Sequence, residues 1–265
     1  FLPLFHILII LPKQKKIKYA AKSDMKAEVA GSFLSWMWWI LDPLLYMLVY
    51  SFVAVYVFGS REQYFPVFVF IGLNTWTFFS KTVKSGVKLV QEKKSIVTKV
   101  YIPKFVFILE KGTVFGIKMF VSFALTVVFM IFYRVPVTWL VLWAIPLWML
   151  LFLVTFAFTT IITHFGVFVE DLLNVLTVVL QLGFYVSGIF YSIESRIMPK
   201  SELIGNILIH CNPIALIMTD LRNVMLYNRE PHYLSLAIWA VISIIISAIG
   251  IRTIYKHENT YVKVI

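Results

Sequence analysis

Long apolar stretches separated by short polar tracts run along this chain. Six of them are long and apolar enough to cross a bilayer as helices, which takes roughly 20 residues each. The second is marginal, because Lys81, Lys84 and Lys88 follow its strongly apolar part at helical spacing. The pattern predicts an all-α polytopic membrane protein with six transmembrane helices, at about 33–58, 65–90, 105–133, 138–163, 172–193 and 234–254.

Two segments outside these spans have patterns of their own. Residues 12–30 place lysines on one face of a helical wheel, which is typical of an amphipathic helix lying along a membrane surface. Such a helix either anchors the chain to lipid or offers a docking surface to a cytoplasmic partner. We therefore divide the chain into an interface segment at 1–31 and a membrane domain at 32–265.

The connection at 194–233 is long and half apolar, and it contains Met198-Pro199 and Asn212-Pro213. This pattern suits short re-entrant helices, which are tolerated at membrane depth where protein shields the backbone. An ordinary extracellular loop is the alternative.

Composition and charge strengthen the membrane prediction. The chain is 60% hydrophobic, which is more apolar surface than a soluble core of 265 residues can hide.

Lys and Arg outnumber Asp and Glu by 24 to 13, and they collect before the first span, between the second and third, and after the sixth. The short loops on the other side hold only Arg61 and Arg134. The positive-inside rule then places both termini in the cytoplasm and argues against nucleic acid as the partner of these charges.

Several kinds of chemistry lack support in the sequence. Cys211 is the single cysteine, and no Cys or His cluster has metal-ligand spacing. His164 and His210 have no Asp or Ser at a triad spacing, so no catalytic residue is assigned. The P-loop pattern is missing from the sequence, so ATP phosphates have no site of that type on this chain.

Polar residues inside the spans are the candidates for function, because lipid cannot satisfy them. Lys104, Lys111 and Lys118 recur every seven residues along the third span. Two explanations compete for these lysines: pairing with Asp42 or Glu110 inside the protein, or lining a path for an anionic, phosphate-containing substrate. Structural pairing is favoured for Lys111, and both explanations stay open for Lys118. A polar stripe on the fifth span either binds neighbouring helices or forms a channel wall. The candidate substrate path is Lys118, Asn174, Thr177, Gln181, Tyr185 and Ser192.

Four blocks of sequence, in this order, resemble one known family. They are the stretch from Lys18-Tyr19 through Gly31 to Leu45, the run Gly72 to Ser80, the connection Ser95 to Lys104, and Asn212-Pro213-Ile214 followed by Arg222. Together they are similar to permeases of ABC-2 type exporters of polysaccharides and teichoic acids. Glu170-Asp171 departs from the family's usual Arg-Asp pair before the fifth span.

The resemblance implies a homodimeric permease in a bacterial cell membrane, bound to two separate ATPase subunits that hold ATP and magnesium. It also implies a gate segment at 195–222, with Asn212, Pro213 and Arg222 as its marked residues. The residues expected to contact the ATPase subunits are Lys15, Lys18, Lys22, Lys26, Glu92, Lys93, Lys94, Ile96 and Lys99. The implied substrate is a lipid-linked cell-surface polymer, and no cofactor is expected on this chain.

Three other functions compete with this interpretation. A related exporter would move a small lipid or drug. A membrane enzyme acting on lipid-linked sugars would need carboxylates or histidines gathered at one membrane face, and beyond Glu170-Asp171 the inner loops hold almost none. A gradient-driven carrier would need internal repeats and interior ionisable groups, and Asp42 is the only clear interior acid.

Overall fold

The computed structural model describes residues 25–26, 37–53, 56, 59, 62–94 and 102–264, and all regular elements within these ranges are helical. The prediction of an all-α chain is confirmed. The helices are α1 (Trp38–Phe52), α2 (Phe65–Glu92), α3 (Phe105–Phe132), α4 (Ala144–Phe168), α5 (Leu172–Val186), α6 (Ile193–Arg196), α7 (Glu202–His210), α8 (Pro213–Arg222) and α9 (Tyr233–Val264). A 3-10 turn at Trp139–Trp143 leads into α4, and a π-helical turn at Asn223–Tyr227 extends α8.

Within the described ranges, three helical stretches are long and apolar enough to cross a membrane: Phe105–Phe132, Trp139–Phe168 and Tyr233–Tyr261. They correspond to the third, fourth and sixth predicted spans. The pair Glu202–His210 and Pro213–Tyr227 passes the same test together but is bent by 97°. The apolar helices α1 and α5 have 15 residues each. The count of six spans therefore stays a prediction.

The centre of the fold is α2, although its sequence is the least apolar of the predicted spans. It packs against α3 and α4, and its first half is buried almost without interruption. Phe68 and Phe70, for example, are almost completely buried. Pro66 lies in the first turn, where its missing amide hydrogen costs nothing. The neighbouring helices therefore hide α2 from lipid along most of its circumference.

Small residues set the closest approaches between helices. A Cβ at Gly166 on α4 would lie 2.3 Å from the carbonyl oxygen of Val87 on α2. A Cβ at Gly250 on α9 would lie 2.2 Å from the hydroxyl of Thr160 on α4. Glycine at these two positions lets the backbones approach, which is a common basis of helix packing in membranes. Helix α4 is therefore held between α2 and α9.

The fifth helix is shorter than the sequence predicts. It ends at Val186, seven residues before the predicted end at 193. Gly188 has a φ of +73°, a left-handed conformation that stops the helix and that glycine adopts without strain. The chain then turns into α6 instead of continuing along the axis of α5.

Candidate functional site

The polar stripe of α5 lies on the outside of the described bundle. Asn174, Gln181 and Tyr185 are exposed, whereas Thr177 is half-buried and donates its hydroxyl to the carbonyl of Leu173 at 2.7 Å. Of all the residues in α5, only Leu176 and Leu180 are buried. Much of this helix thus has no neighbour in the described part of one chain.

The side of α5 that faces α2 is marked by Gly183, where a Cβ would lie 2.9 Å from the ring of Trp76. At about 100° per residue, Gln181 lies on nearly the opposite side of the helix. The polar stripe therefore points away from α2. Ser192 is not part of it, because it lies beyond α5 and caps α6 by accepting a hydrogen bond from the amide of Ser195.

The third candidate lysine, Lys118, lies between α1 and α3. Its ammonium is 5.2 Å from the centre of the Trp39 ring and 5.4 Å from that of Phe115. Aromatic faces attract cations at such distances, most strongly where water is scarce. The two rings therefore attract the ammonium of Lys118 at a point halfway along a helix of membrane-spanning length.

Lysine and glutamate side chains tie α2, α3 and α9 together at one end of the bundle. The ammonium of Lys93 lies 2.7 Å from a carboxylate oxygen of Glu110, and both side chains are largely buried. Lys104 lies 3.8 Å from Glu258 in α9. These pairs connect the end of α2 and the start of α3 to the end of α9.

Lys111 has a different partner from the two that the sequence suggested. Its ammonium lies 4.0 Å from the carboxylate of Glu92, while Glu110 is taken by Lys93. The expectation of structural pairing at Lys111 is therefore met, but the expectation of Asp42 or Glu110 as its partner was wrong. The reason is geometric: α2 and α3 are antiparallel, which brings residue 92 level with residue 111.

The residues expected to meet an ATPase subunit are only partly described. Lys15, Lys18, Lys22, Ile96 and Lys99 lie outside the described residues. Lys26 and Lys94 are exposed, and the side chain of Glu92 is 52% exposed. Lys93 differs from them, since its ammonium is turned inward to Glu110.

Within the predicted gate segment, α8 has a well-formed start at Asn212 and Pro213. The side-chain oxygen of Asn212 accepts hydrogen bonds from the amides of Ile214 and Ala215, and Pro213 occupies the first turn of α8. This is a standard N-cap arrangement. The side-chain amide of Asn212 also donates to the hydroxyl of Ser187 at 2.9 Å, which joins α8 to the end of α5.

At the other end of α8, Arg222 is buried and binds only backbone carbonyls and an aromatic ring. Its guanidinium donates to the carbonyls of Phe68, Gly188 and Ile189 at 3.1, 2.8 and 2.9 Å. It also stacks on the ring of Phe68, 3.5 Å from its centre. Gly72 leaves the space for it, because a Cβ there would lie 2.5 Å from the guanidinium. Arg222 thus connects α8, α2 and the turn after α5.

Acidic and histidine side chains also meet near the end of α8, a cluster that sequence reasoning missed. Asp220 is completely buried, and His232 binds it twice, through its amide at 3.1 Å and through Nδ1 at 2.7 Å. Glu194 accepts from the side-chain amide of Asn223 at 3.3 Å and lies 3.6 Å from the guanidinium of Arg229. An acid on α8 and a histidine twelve residues later, where the connection returns to α9, were the available signal.

The hydrogen bond to Asp220, followed by attraction to the carboxylates of Asp220 and Glu194, outweighs burial and raises the pKa of His232 above its usual value. Every member of this cluster is engaged with another. The arrangement therefore holds the connection to α9 in place, and Asp220 is not presented to a substrate.

Helices of membrane-spanning length, joined by small-residue contacts and carrying ionic pairs at one end, define an integral membrane protein of the helical class.

No protein-family profile matches the chain. The chain is 28% identical to the O-antigen export system permease protein RfbA of Myxococcus xanthus over 224 residues, which are 84% of this chain and 85% of that protein. Two O-antigen export system permease proteins RfbA of Klebsiella pneumoniae are 22% identical to it over 263 and 265 residues, which in each case are 99% of this chain and 96% of the relative.

The chain is thus homologous over most of its length to export-system permeases. The resemblance to polysaccharide-export permeases that the sequence indicated is confirmed, and the relatives are named for the export of O-antigen rather than of teichoic acid.

Proposed function

We propose that this chain is the membrane permease subunit of an ABC exporter that moves a lipid-linked cell-surface polysaccharide outward across the bacterial cell membrane. The observation that carries the proposal is the relationship to O-antigen export permeases along nearly the whole chain. The relatives favour polysaccharide over teichoic acid, a small lipid or a drug. In this arrangement both termini face the cytoplasm.

A second copy of the chain completes the route for the polymer. The support is α5, whose polar stripe points away from its own bundle and whose burial is limited to two leucines. Exposed amides and hydroxyls at membrane depth need protein or water beside them. Pairing two copies through this side encloses both stripes around a common path, where Asn174, Gln181 and Tyr185 offer hydrogen bonds and an aromatic face to sugar.

The segment 194–233 forms a re-entrant gate at the outer end of that path. Both ends of α8 contact the same end of the bundle: Asn212 binds Ser187 just after α5, and Arg222 binds Phe68 at the start of α2. A helix whose two ends contact one side does not cross the membrane. The 97° bend between α7 and α8 is consistent with a dip into the outer leaflet and a return.

Energy for export comes from a separate ATPase subunit, which binds ATP and magnesium. It contacts the cytoplasmic end of the bundle, where Lys26, Glu92 and Lys94 are exposed. The connection after α2, at 95–101, follows them in sequence and lies outside the described residues. The ion pairs of Lys93, Lys104 and Lys111 join three helices there. Movement of this end is thereby transmitted to α2, α3 and α9 together.

The competing proposal is an enzyme that acts on lipid-linked sugars. The cluster of Glu194, Asp220 and His232 is the group of side chains that could supply its catalytic residues. A catalytic carboxylate must reach the substrate. Asp220 is completely buried and engaged twice by His232, so the cluster fits a structural role better than a catalytic one.

The proposal is tested by removing the chain from its native cells and restoring it. Without it, we expect the polysaccharide to be made but to remain on its lipid inside the cell, and re-expression of the chain should return it to the surface. The control is re-expression together with an ATPase subunit whose P-loop lysine is changed, which should leave the polymer inside. Surface polysaccharide that is unaffected by loss of the chain would contradict the proposal.

A further inference from the structure

A cationic stripe runs along α2, the central helix of the fold. Thr77, Lys81 and Lys88 are exposed, and Ser80 and Lys84 are half-buried. Spacings of three and four residues put these side chains on one face of the helix. Trp76, which contacts Gly183 on α5, lies about 100° around α2 from Thr77, so the face is next to the side of α2 that packs on α5 and not part of it.

These lysines differ from the others at the same end of the bundle. Lys93, Lys104 and Lys111 each pair with a glutamate. In the described part of the chain, by contrast, the lysines of the stripe have neither an ion pair nor a hydrogen bond. Asp42 on α1 is exposed and does not pair with them.

The stripe extends from the cytoplasmic edge into the membrane. At 1.5 Å per residue, Lys81 lies about 24 Å from the start of α2 at Phe65, and Lys88 about 34 Å. With Phe65 at the outer edge of a hydrocarbon core roughly 30 Å thick, as the proposed orientation requires, Lys81 lies inside the core and Lys88 at its cytoplasmic boundary. The antiparallel ion pairs between α2 and α3 place Lys118 at the level of Lys84.

Charged side chains at this depth need an anionic or aqueous partner. The phosphate of a bulk phospholipid stays at the membrane surface, where it reaches Lys88. A phosphate that leaves the surface along α2 would meet Lys84, then Lys81, and then the hydroxyls of Ser80 and Thr77. Lysine ammonium groups are suited to this, because they attract phosphate as mobile point charges without requiring a fixed geometry.

We propose that the stripe formed by Thr77, Ser80, Lys81, Lys84 and Lys88 binds the phosphate group of the lipid that carries the exported polymer and leads it from the inner leaflet toward α5. This inference rests on the proposed function, because it takes the lipid-linked polymer as the substrate. It adds a site on α2 to the candidate path on α3 and α5.

The test is equilibrium binding of a radiolabelled polyprenyl diphosphate to the purified chain in nanodiscs of phosphatidylcholine, without ATP. The test variant is Lys81→Gln/Lys84→Gln, and the matched control is Arg252→Gln/Lys256→Gln, which removes two exposed charges from the inner end of α9. A factor of about five per lysine near lipid phosphate predicts a loss of affinity of about 25-fold for the test variant and less than about twofold for the control.

Competition with phosphatidylglycerol distinguishes the carrier from bulk anionic lipid. We expect diphosphate binding to persist at a tenfold excess of phosphatidylglycerol. Complete displacement by that lipid, unchanged binding in the test variant, or an equal loss in the control would each overturn the proposal. Because binding is measured without ATP or transport, a chain that binds the diphosphate through α2 but fails to export polymer would refute the export function and leave this site standing.

Discussion

Removal of the buried guanidinium at Arg222 should strongly destabilise the end of the bundle where α8, α2 and the turn after α5 meet. In Arg222→Met, the carbonyls of Gly188 and Ile189 lose their donor, whereas the carbonyl of Phe68 also faces an amide of its own helix. A buried acceptor left without a partner costs about 1–3 kcal/mol, so two of them cost about 2–6 kcal/mol. In a chain of this size, that corresponds to a fall in apparent melting temperature of roughly 10 °C.

The assay is thermal unfolding of the purified chain in detergent, followed by intrinsic tryptophan fluorescence. Arg222→Lys keeps the charge but not the fork of donors, so we expect an intermediate loss. The control is Arg229→Gln, which removes a largely exposed guanidinium from the same segment and should cost less than about 1 kcal/mol. A melting temperature of Arg222→Met within about 2 °C of the wild type would refute the reasoning.

Three further predictions concern the ionic groups and the orientation. Glu110→Leu should destabilise the chain by about 3 kcal/mol because the largely buried ammonium of Lys93 loses the carboxylate of Glu110. Adding Lys93→Met should restore most of the loss in a double-mutant cycle, and additive losses would contradict this. The hydrogen bond to Asp220 raises the pKa of His232, so the stabilisation from this pair should be complete below about pH 6.5 and should disappear as the pH rises through the raised pKa. The melting temperature of the wild type should therefore fall progressively above that pH, whereas that of His232→Asn should not. Identical pH profiles of the two proteins would refute this prediction. Cys211 is exposed and is the only cysteine, so a maleimide that cannot cross membranes should label it from the outside of intact spheroplasts; labelling only after permeabilisation would reverse the proposed orientation.

The helical class and the position of most long helices follow from hydropathy alone, because lipid imposes a length and an apolar composition on each span. Helix α2 shows the limit of this signal. Its lysines make it marginal as a span, yet it occupies the centre of the bundle, since neighbouring helices rather than lipid cover most of its surface. Helix α5 shows the opposite case, in which an apolar stretch ends early because Gly188 turns the chain.

The contacts of the candidate site were harder to predict than its residues. Arg222 meets Phe68 across 154 positions of the chain, and nothing in local spacing indicates that contact. Lys111 binds Glu92 and not Glu110, because the register of two antiparallel helices decides which charges meet. On a helical wheel Ser192 lines up with the polar stripe of α5. It lies beyond the end of that helix, however, where helical spacing no longer predicts which way a side chain points.

The most direct test of the export function is transport by the reconstituted pair. The chain and its ATPase subunit would be placed in liposomes that contain the lipid-linked polysaccharide in the ATPase-facing leaflet, and the appearance of polymer on the opposite side would be measured with a hydrolase that cannot cross the membrane. We expect polymer to become accessible only when the chain, the ATPase and ATP are all present. Translocation that is independent of this chain, or a complete pair that hydrolyses ATP without moving polymer, would contradict the proposed function.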